Sequence, residues 1–299
     1  MNIYLCIKFI GVKTGLKHFW DFLLFGNVYV ALGATCLVQS SVIQLQLKDS
    51  LPAYPSLVFF ATLFVYNFQR IFYSQQPNTA LHSVRRNWIF NHLTLIKLLA
   101  FVGFIGVAIS FFYTGTQLLF YLFPLLILCL AYFIPFIKLR KHPFLKLLTL
   151  VSVWTTVTAV IPILLKNQSL CDTKNFIHIC IRFCFMLGIC IPFDIRDLKI
   201  DEADAISTLP QLIGENKTRW LAIAFMILYD TLIIVVYCFH FFTLSVFGAL
   251  FFSAILNTVL VALSSSKRSE YFFVAVIDGT MILQGVLVVG VCYCNPTGF

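Results

Sequence analysis

Charge is scarce in this sequence. Charged residues make up 11% of its 299 positions, and only 12 residues are acidic. Soluble globular domains carry roughly 25% charged residues. This deficit, together with a hydrophobic share of 60%, excludes a soluble globular domain and predicts an integral membrane protein.

Two kinds of short motif are also missing. The ten cysteines are scattered, mostly within apolar runs, and none has metal-ligand spacing with a histidine, which favours structural thiols. The first apolar stretch is interrupted by Lys8 and lacks a convincing small-residue cleavage site. We therefore expect no cleaved signal peptide and a first helix that remains as an anchor.

Long apolar runs, in contrast, are abundant. Nine of them are long enough to cross a hydrocarbon core of about 30 Å. They lie near residues 19–43, 51–67, 93–113, 115–137, 146–165, 176–193, 219–241, 243–263 and 271–293. The pattern predicts an all-α, polytopic membrane protein with nine transmembrane helices in a single domain over residues 1–299. Very short connections predict two helical hairpins, one between the third and fourth runs and one between the seventh and eighth.

Basic residues concentrate in the N-terminal segment and in alternate loops. These residues are Lys8, Lys13, Lys17, Arg70, Arg85, Arg86, Lys138, Arg140, Lys141, Lys146, Arg196, Lys199, Lys217, Arg219, Lys267 and Arg268. The positive-inside rule therefore predicts a cytoplasmic N-terminus and an external C-terminus. The lack of an Arg- and Ser-rich presequence favours a bacterial inner membrane. This topology and attraction to anionic membrane lipid account for the net charge of +9, so no nucleic-acid partner is expected.

The few acidic residues gather on the predicted cytoplasmic side, after the sixth run. At 100° per residue, four aspartates project within about 80° of one another on a helix; they are Asp194, Asp197, Asp201 and Asp204. Neighbouring carboxylates repel one another, so a partly buried stripe favours a bound cation. Mg²⁺ usually takes one or two carboxylates and leaves its other positions to water and phosphate oxygens, which fits a diphosphate ligand. A solvated acidic helix in a loop is the alternative.

Two other groups on this side suit a phosphate. Arg70 follows Asn67 and Gln69 at the end of the second run, and its planar fork can pair with phosphate oxygens. The fourth-to-fifth loop holds the densest basic cluster of the chain, with a tyrosine just inside the run; these residues are Tyr132, Lys138, Arg140 and Lys141. The alternative for both groups is that these basic residues only determine the topology of the chain in the membrane.

After the acidic stripe the chain reads Thr208-Leu-Pro-Gln-Leu-Ile-Gly214. Thr208 suits a helix N-cap, Pro210 suits a first helical turn, and Gly214 suits the end of that turn. We expect this short element to hold the acidic stripe in place.

These features together resemble the UbiA superfamily of intramembrane prenyltransferases. The resemblance covers essentially the whole chain and rests on the nine predicted spans with a cytoplasmic N-terminus and on three motifs. The motifs are D-x-x-D-x-x-x-D at Asp194, Asp197 and Asp201, T-L-P-x-x-x-G at Thr208 to Gly214, and Asn67 after the second span. The resemblance implies an all-α bundle around a central cavity that is open to the bilayer.

The activity implied by the resemblance is transfer of a prenyl or related group from an isoprenoid diphosphate to a small aromatic or lipid-soluble acceptor, assisted by Mg²⁺. The implied catalytic residues and metal ligands are Asp194, Asp197 and Asp201. The candidate diphosphate-binding residues are Asn67, Arg70, Tyr132, Lys138, Arg140 and Lys141. A membrane protein of the same fold that binds an isoprenoid, a lipid phosphate or a partner without turnover is the alternative. A transporter is disfavoured, because all the polar motifs lie on one side.

The sequence departs from the family in its first acidic motif, which runs N-x-x-x-D-x-x-x-D. Ile71 and Gln75 stand where the two metal-binding acids are expected. Phe68 and Ser207 also replace residues that are usually acidic and basic, respectively. One metal held by the second motif is therefore the expectation, with Asn67, Gln69 and Arg70 replacing the other metal through hydrogen bonds and fixed charge. This hypothesis predicts that Asp197→Asn abolishes Mg²⁺-dependent binding of a prenyl diphosphate.

Overall fold

The protein is a bundle of helices. The structure, a computed structural model, describes residues 15–47, 53–74, 83–115, 117–133, 142–203 and 206–294, and every regular element in these ranges is helical. The helices are α1 (Gly15–Phe25), α2 (Val28–Gln44), α3 (Ala53–Ser74), α4 (Val84–Asn91), α5 (Leu93–Thr114), α6 (Gln117–Phe133), α7 (Pro143–Thr155), α8 (Ile161–Leu165), α9 (Thr173–Ala203), α10 (Leu209–Ile213), α11 (Glu215–Cys238), α12 (Leu244–Ala262) and α13 (Gly279–Cys294). Two π-helical turns, Thr156–Val160 and Phe272–Ile277, precede α8 and α13. The all-α architecture agrees with the sequence-based prediction.

Several helices are long and apolar enough to cross a membrane. Within the described ranges there are six, and a seventh if α1 and α2, which meet at an angle of 57°, count as one broken span. The six are Leu93–Thr114, Pro143–Leu165, Thr173–Ala203, Glu215–Cys238, Leu244–Ala262 and Phe272–Cys294. A multi-pass membrane protein is thus confirmed, whereas the count of nine is not. The two remaining predicted spans correspond to α3, which carries Asn67, Gln69 and Arg70 near its end, and to the short α6.

Asn67 holds the break between α1 and α2 against α3. The chain turns at Asn27, whose φ of 62° is left-handed, and the Asn27 amide donates to the Asn67 side-chain oxygen at 3.0 Å. The Asn67 amide in turn donates to the carbonyls of Gly26, at 3.0 Å, and Leu63, at 2.8 Å. Asn67 is fully buried, and its bond to Gly26 satisfies a backbone carbonyl at the break between the two helices.

Glycines let α3 and α5 approach each other closely. A Cβ atom added at Gly103 would lie 2.7 Å from the backbone nitrogen of Phe64 and 2.9 Å from its Cα. These neighbours are backbone atoms, so they cannot rotate away. Small residues at such positions are typical of helix pairs that associate through van der Waals packing in lipid.

We expect Gly103→Ala to destabilise the folded protein by about 1–3 kcal/mol, because the new methyl group forces α3 and α5 apart. Gly290→Ala is the matched control, since it also places a methyl group on an apolar helix but meets no atom within 4 Å. Thermal unfolding in detergent, followed by circular dichroism, compares the two. Equal midpoints for the two variants would contradict the close approach of α3 and α5.

Helix α9 is long enough to carry polar residues out of the membrane. Its 31 residues extend about 46 Å at 1.5 Å per residue, which exceeds a hydrocarbon core of about 30 Å. Asp194, Asp197 and Asp201 occupy its last third. We call the end of the bundle where α9 finishes the acidic end.

The turn after α9 forms as the sequence predicts. Thr208 is the N-cap of α10, and its backbone N–H donates to the side-chain oxygen of Gln211 at 3.1 Å. Pro210 lies in the first turn of α10. Gly214, with a φ of 86°, ends that helix and allows α11 to begin at once.

A buried arginine joins α9 to α2 and α13. The Arg182 guanidinium donates to the side-chain oxygens of Gln284, at 3.2 Å, and Ser41, at 3.0 Å, and also to the Leu37 carbonyl, at 3.2 Å. Arg182 is 2% exposed, and the three groups that accept its hydrogen bonds are all uncharged. These bonds fix α9 in the bundle and so help to position its acidic end.

Candidate functional site

Three aspartates of α9 form the centre of the candidate site. The side chains of Asp194 and Asp201 are nearly buried, at 8% and 3% exposure, and that of Asp197 is 21% exposed. Asp204 lies outside the described residues. The three carboxylates do not converge on one point; instead they divide between two groups of cations.

Lys146 pairs with the first and the last of these aspartates. Its ammonium nitrogen lies 2.9 Å from Oδ1 of Asp194 and 2.9 Å from Oδ2 of Asp201. Asp194 and Asp201 are two helical turns apart and share a face of α9, and Lys146 approaches that face from the first turns of α7. One ammonium of the chain therefore bridges two largely buried carboxylates.

Asp197 pairs with arginines. Arg196 donates from Nε to Oδ1 and from Nη2 to Oδ2, each at 2.7 Å, which is a bidentate arrangement. Nη2 of Arg85 lies 3.7 Å from Oδ1 of the same carboxylate. The Arg196 guanidinium also lies over the ring of Phe193, 4.7 Å from its centroid. Salt bridge and ring together fix the orientation of Arg196.

Arg70 is a third guanidinium near this pair. The pKa of Arg70 is lowered to about 9, first by burial and then by the positive charges of Arg85 and Arg196. Arg85 and Arg196 in turn share the carboxylate of Asp197. The three guanidinium groups therefore lie close enough to interact electrostatically. We call Arg70, Arg85 and Arg196 the arginine cluster.

The arginine cluster has unused hydrogen-bond donors. In the part of the chain that the structure describes, Nε of Arg70 and Nε of Arg85 are buried and have no hydrogen-bond partner. Asp197 bonds Arg196 directly, and Glu270 accepts the backbone N–H of Arg85 at 2.8 Å. Asp278 is a third acidic residue near Arg85 and Arg196. The unsatisfied buried donors of Arg70 and Arg85 favour an anion with several oxygens, such as a phosphate group.

The described carboxylates do not fit a resident Mg²⁺. Mg²⁺ requires near-octahedral oxygen ligands, but Asp194 and Asp201 share Lys146, and both oxygens of Asp197 bond Arg196. Among the oxygens of Asp194, Asp197 and Asp201, the one that is buried without a hydrogen-bond partner is Oδ2 of Asp194. A divalent ion about 4.5 Å from the ammonium would be repelled by roughly 7 kcal/mol at an effective dielectric constant of about 20. Among the described residues, no three His, Cys, Asp or Glu side chains are grouped to hold a metal.

The other predicted ligand-binding residues have separate outcomes. Both polar atoms of Asn67 make hydrogen bonds within the protein, to Asn27, Gly26 and Leu63. Tyr132 lies in α6, and its side chain is outside the description. Lys138, Arg140, Lys141 and Gln75 lie outside the described residues.

Sequence reasoning did not assign Lys146, Arg85 or Arg196 to the site. In the sequence, all three appear only as basic residues that determine topology, and at 100° per residue Arg196 does not share the helix face of the aspartates. One signal was available: each lies in a predicted cytoplasmic loop or at a span end, on the same side as the acidic stripe. Clustered carboxylates require nearby cations, and the neighbouring loops supply them.

Comparisons with known proteins identify the fold. No protein-family model and no curated protein sequence matches the chain. A UbiA homologue from Archaeoglobus fulgidus, solved bound to GPP and Mg²⁺, has a similar structure, with a TM-score of 0.63 and 10% identity over 90% of this chain and 99% of that one. An apo UbiA homologue from Aeropyrum pernix K1 gives a TM-score of 0.61 and 14% identity over 90% and 98% of the two chains.

A digeranylgeranylglyceryl phosphate synthase is a further structural neighbour, with a TM-score of 0.56 and 15% identity over 93% of this chain and 99% of that one. Nearly the full length of each neighbour is covered. The chain therefore has the fold of the UbiA homologues, and the predicted resemblance is confirmed at the level of the fold.

Proposed function

We propose that this chain, which has the fold of the UbiA homologues, is an intramembrane transferase that binds an isoprenoid diphosphate at the arginine cluster. It transfers the prenyl group to an aromatic or lipid-soluble acceptor. One observation carries the proposal: Arg70, Arg85 and Arg196 bring three guanidinium charges and two unused buried donors to the acidic end of the bundle. The structural neighbour from Archaeoglobus fulgidus that was solved with GPP supports the donor class.

The reaction follows from the chemistry of such a donor. The bond between the first prenyl carbon and the diphosphate oxygen breaks, and its electron pair stays on that oxygen. Guanidinium groups stabilise the negative charge that develops there, so they bind the transition state more tightly than the ground state. A ring carbon or a hydroxyl oxygen of the acceptor attacks the allylic cation, and the attacking atom then loses its proton. The apolar walls of the bundle exclude the water that would quench the cation.

The proposed site lies on one side of the membrane. The arginine cluster belongs to α3, α4 and α9, whose ends meet at the acidic end, and the positive-inside rule places this end on the cytoplasmic face. The prenyl chain then extends into the apolar interior among the helices. We propose a bacterial inner membrane, with the N-terminus cytoplasmic and the C-terminus external.

Binding of geranyl diphosphate to the detergent-purified protein tests the donor site. We expect Arg85→Gln to weaken binding by about 10- to 100-fold, because a charge-assisted hydrogen bond to phosphate contributes about 1.5–3 kcal/mol. Arg86→Gln is the matched control. It removes the same charge from the same helix, and a residue one position further projects about 100° away. Isothermal titration calorimetry gives both affinities.

Equal affinities for the two variants would contradict a diphosphate site at Arg85. Product formation from radiolabelled geranyl diphosphate, with a panel of phenolic and glycerol-based acceptors, then tests transfer. Product that disappears in Arg85→Gln but persists in Arg86→Gln supports the transferase.

A non-catalytic binder of an isoprenoid or lipid phosphate is the second candidate. The observation that favours it is the engagement of all three aspartates in ion pairs with side chains of the protein itself. Tight binding of geranyl diphosphate, with no product from any acceptor and no release of diphosphate, would assign this role.

A further inference from the structure

The bridge between Lys146 and the two aspartates has the form of a cation site. Two nearly buried carboxylates, from Asp194 and Asp201, point oxygens at one position, and the ammonium nitrogen occupies it at 2.9 Å from each oxygen. The aspartates belong to one helix and the lysine to another. The arrangement therefore exists only when α7 and α9 are packed together.

We infer that Lys146 is a resident cation that takes the place of a divalent metal, so that anion binding at the acidic end is independent of Mg²⁺. Together with the arginine cluster, the ammonium gives this end a complete set of fixed positive charges. The inference concerns how the site of the proposed function is charged, and its first test does not depend on that function.

The physical reason is charge balance. The carboxylates of Asp194 and Asp201 repel each other when both are ionised, and a positive charge between them removes the repulsion. An ammonium supplies this charge with three donors and without demanding octahedral geometry.

Binding of Mn²⁺ alone, measured by electron paramagnetic resonance on the full-length protein in detergent, tests the inference without any prenyl ligand. We expect no stoichiometric binding to the wild type at concentrations up to about 1 mM. Lys146→Met removes the ammonium but keeps an unbranched apolar side chain about as long as the lysine stem. We expect this variant to bind one Mn²⁺ per chain at least tenfold more tightly than the wild type, and Lys146→Met/Asp194→Asn to lose that ion.

Lys199→Met is the matched control, because Lys199 is an exposed lysine of α9 whose loss should create no Mn²⁺ site. Stoichiometric Mn²⁺ binding to the wild type that disappears in Asp194→Asn would overturn the inference. A folded Lys146→Met variant that binds no Mn²⁺ would also overturn it.

A second measurement uses the wild type only, in case Lys146→Met does not fold. We expect the affinity for geranyl diphosphate to change less than twofold between 5 mM Mg²⁺ and excess EDTA. A loss of more than tenfold in EDTA would overturn the inference. Absence of binding under both conditions would refute the proposed function, and the Mn²⁺ measurements would still decide the role of Lys146.

Discussion

Lys146→Met is expected to lower the free energy of unfolding by about 3–5 kcal/mol when measured without divalent cations. Removing one partner of a buried ion pair leaves an uncompensated buried charge, and costs of this size are typical. Here one ammonium serves Asp194 and Asp201, which are 8% and 3% exposed, so its loss leaves two carboxylates facing each other. Chemical unfolding in mixed micelles in the presence of EDTA measures the change.

Neutralising Asp194 and Asp201 should restore the stability that Lys146→Met loses. Because Asn cannot ionise, we expect Lys146→Met/Asp194→Asn/Asp201→Asn to recover most of the wild-type stability. Lys199→Met, the exposed control on α9, should change the free energy of unfolding by less than about 0.5 kcal/mol. A Lys146→Met variant as stable as Lys199→Met would show that the bridge does not hold α7 to α9.

Arg196→Gln is expected to reduce the affinity for geranyl diphosphate by more than about 100-fold and to destabilise the protein by about 3–5 kcal/mol. The first effect follows because Arg196 is the best-oriented member of the arginine cluster, held by two 2.7 Å bonds and by Phe193. The second follows because Asp197 loses its bidentate partner. Calorimetry and chemical unfolding measure the two quantities separately.

Asp197→Asn distinguishes between two roles of Asp197: balancing the charge of the arginines and binding a metal. If Asp197 only balances the arginines, this variant should bind geranyl diphosphate at least as tightly as the wild type, because the cluster becomes more positive. Arg196→Gln/Asp197→Asn should then regain stability but not affinity. Loss of binding in Asp197→Asn would instead support a metal ligand at this position, as the family resemblance implies.

Local and periodic features were predictable from sequence alone. The hydrophobic runs gave the positions of the helices, since the length and period of an apolar segment are encoded locally. The cap at Thr208 and the helix end at Gly214 were predictable for the same reason, because each depends on its own residue type. The acidic stripe was expected on one helix after the sixth run, and its three described members, Asp194, Asp197 and Asp201, lie on the last third of α9.

Pairing between distant helices was not predictable. Lys146 and Asp201 are 55 positions apart, and a single sequence does not show which loop cation reaches which carboxylate. The helical projection also misplaced Arg196, because a long side chain can curl back to Asp197 beside it, whatever direction its Cα–Cβ bond takes. The α1–α2 break at Asn27 was missed too, since its left-handed turn depends on Asn67 from another helix.

The bridge at Lys146 also bears on kinetics. A metal ion must be taken up from solution, so occupancy of a metal site varies with the free ion concentration and with every chelator present. A charge carried on a side chain is supplied in a fixed ratio of one per polypeptide, and its effective concentration is set by the fold. Binding of the prenyl diphosphate then involves only the protein and the donor. The fraction of protein with bound donor should follow a single hyperbola in donor concentration, with the same midpoint at every Mg²⁺ concentration.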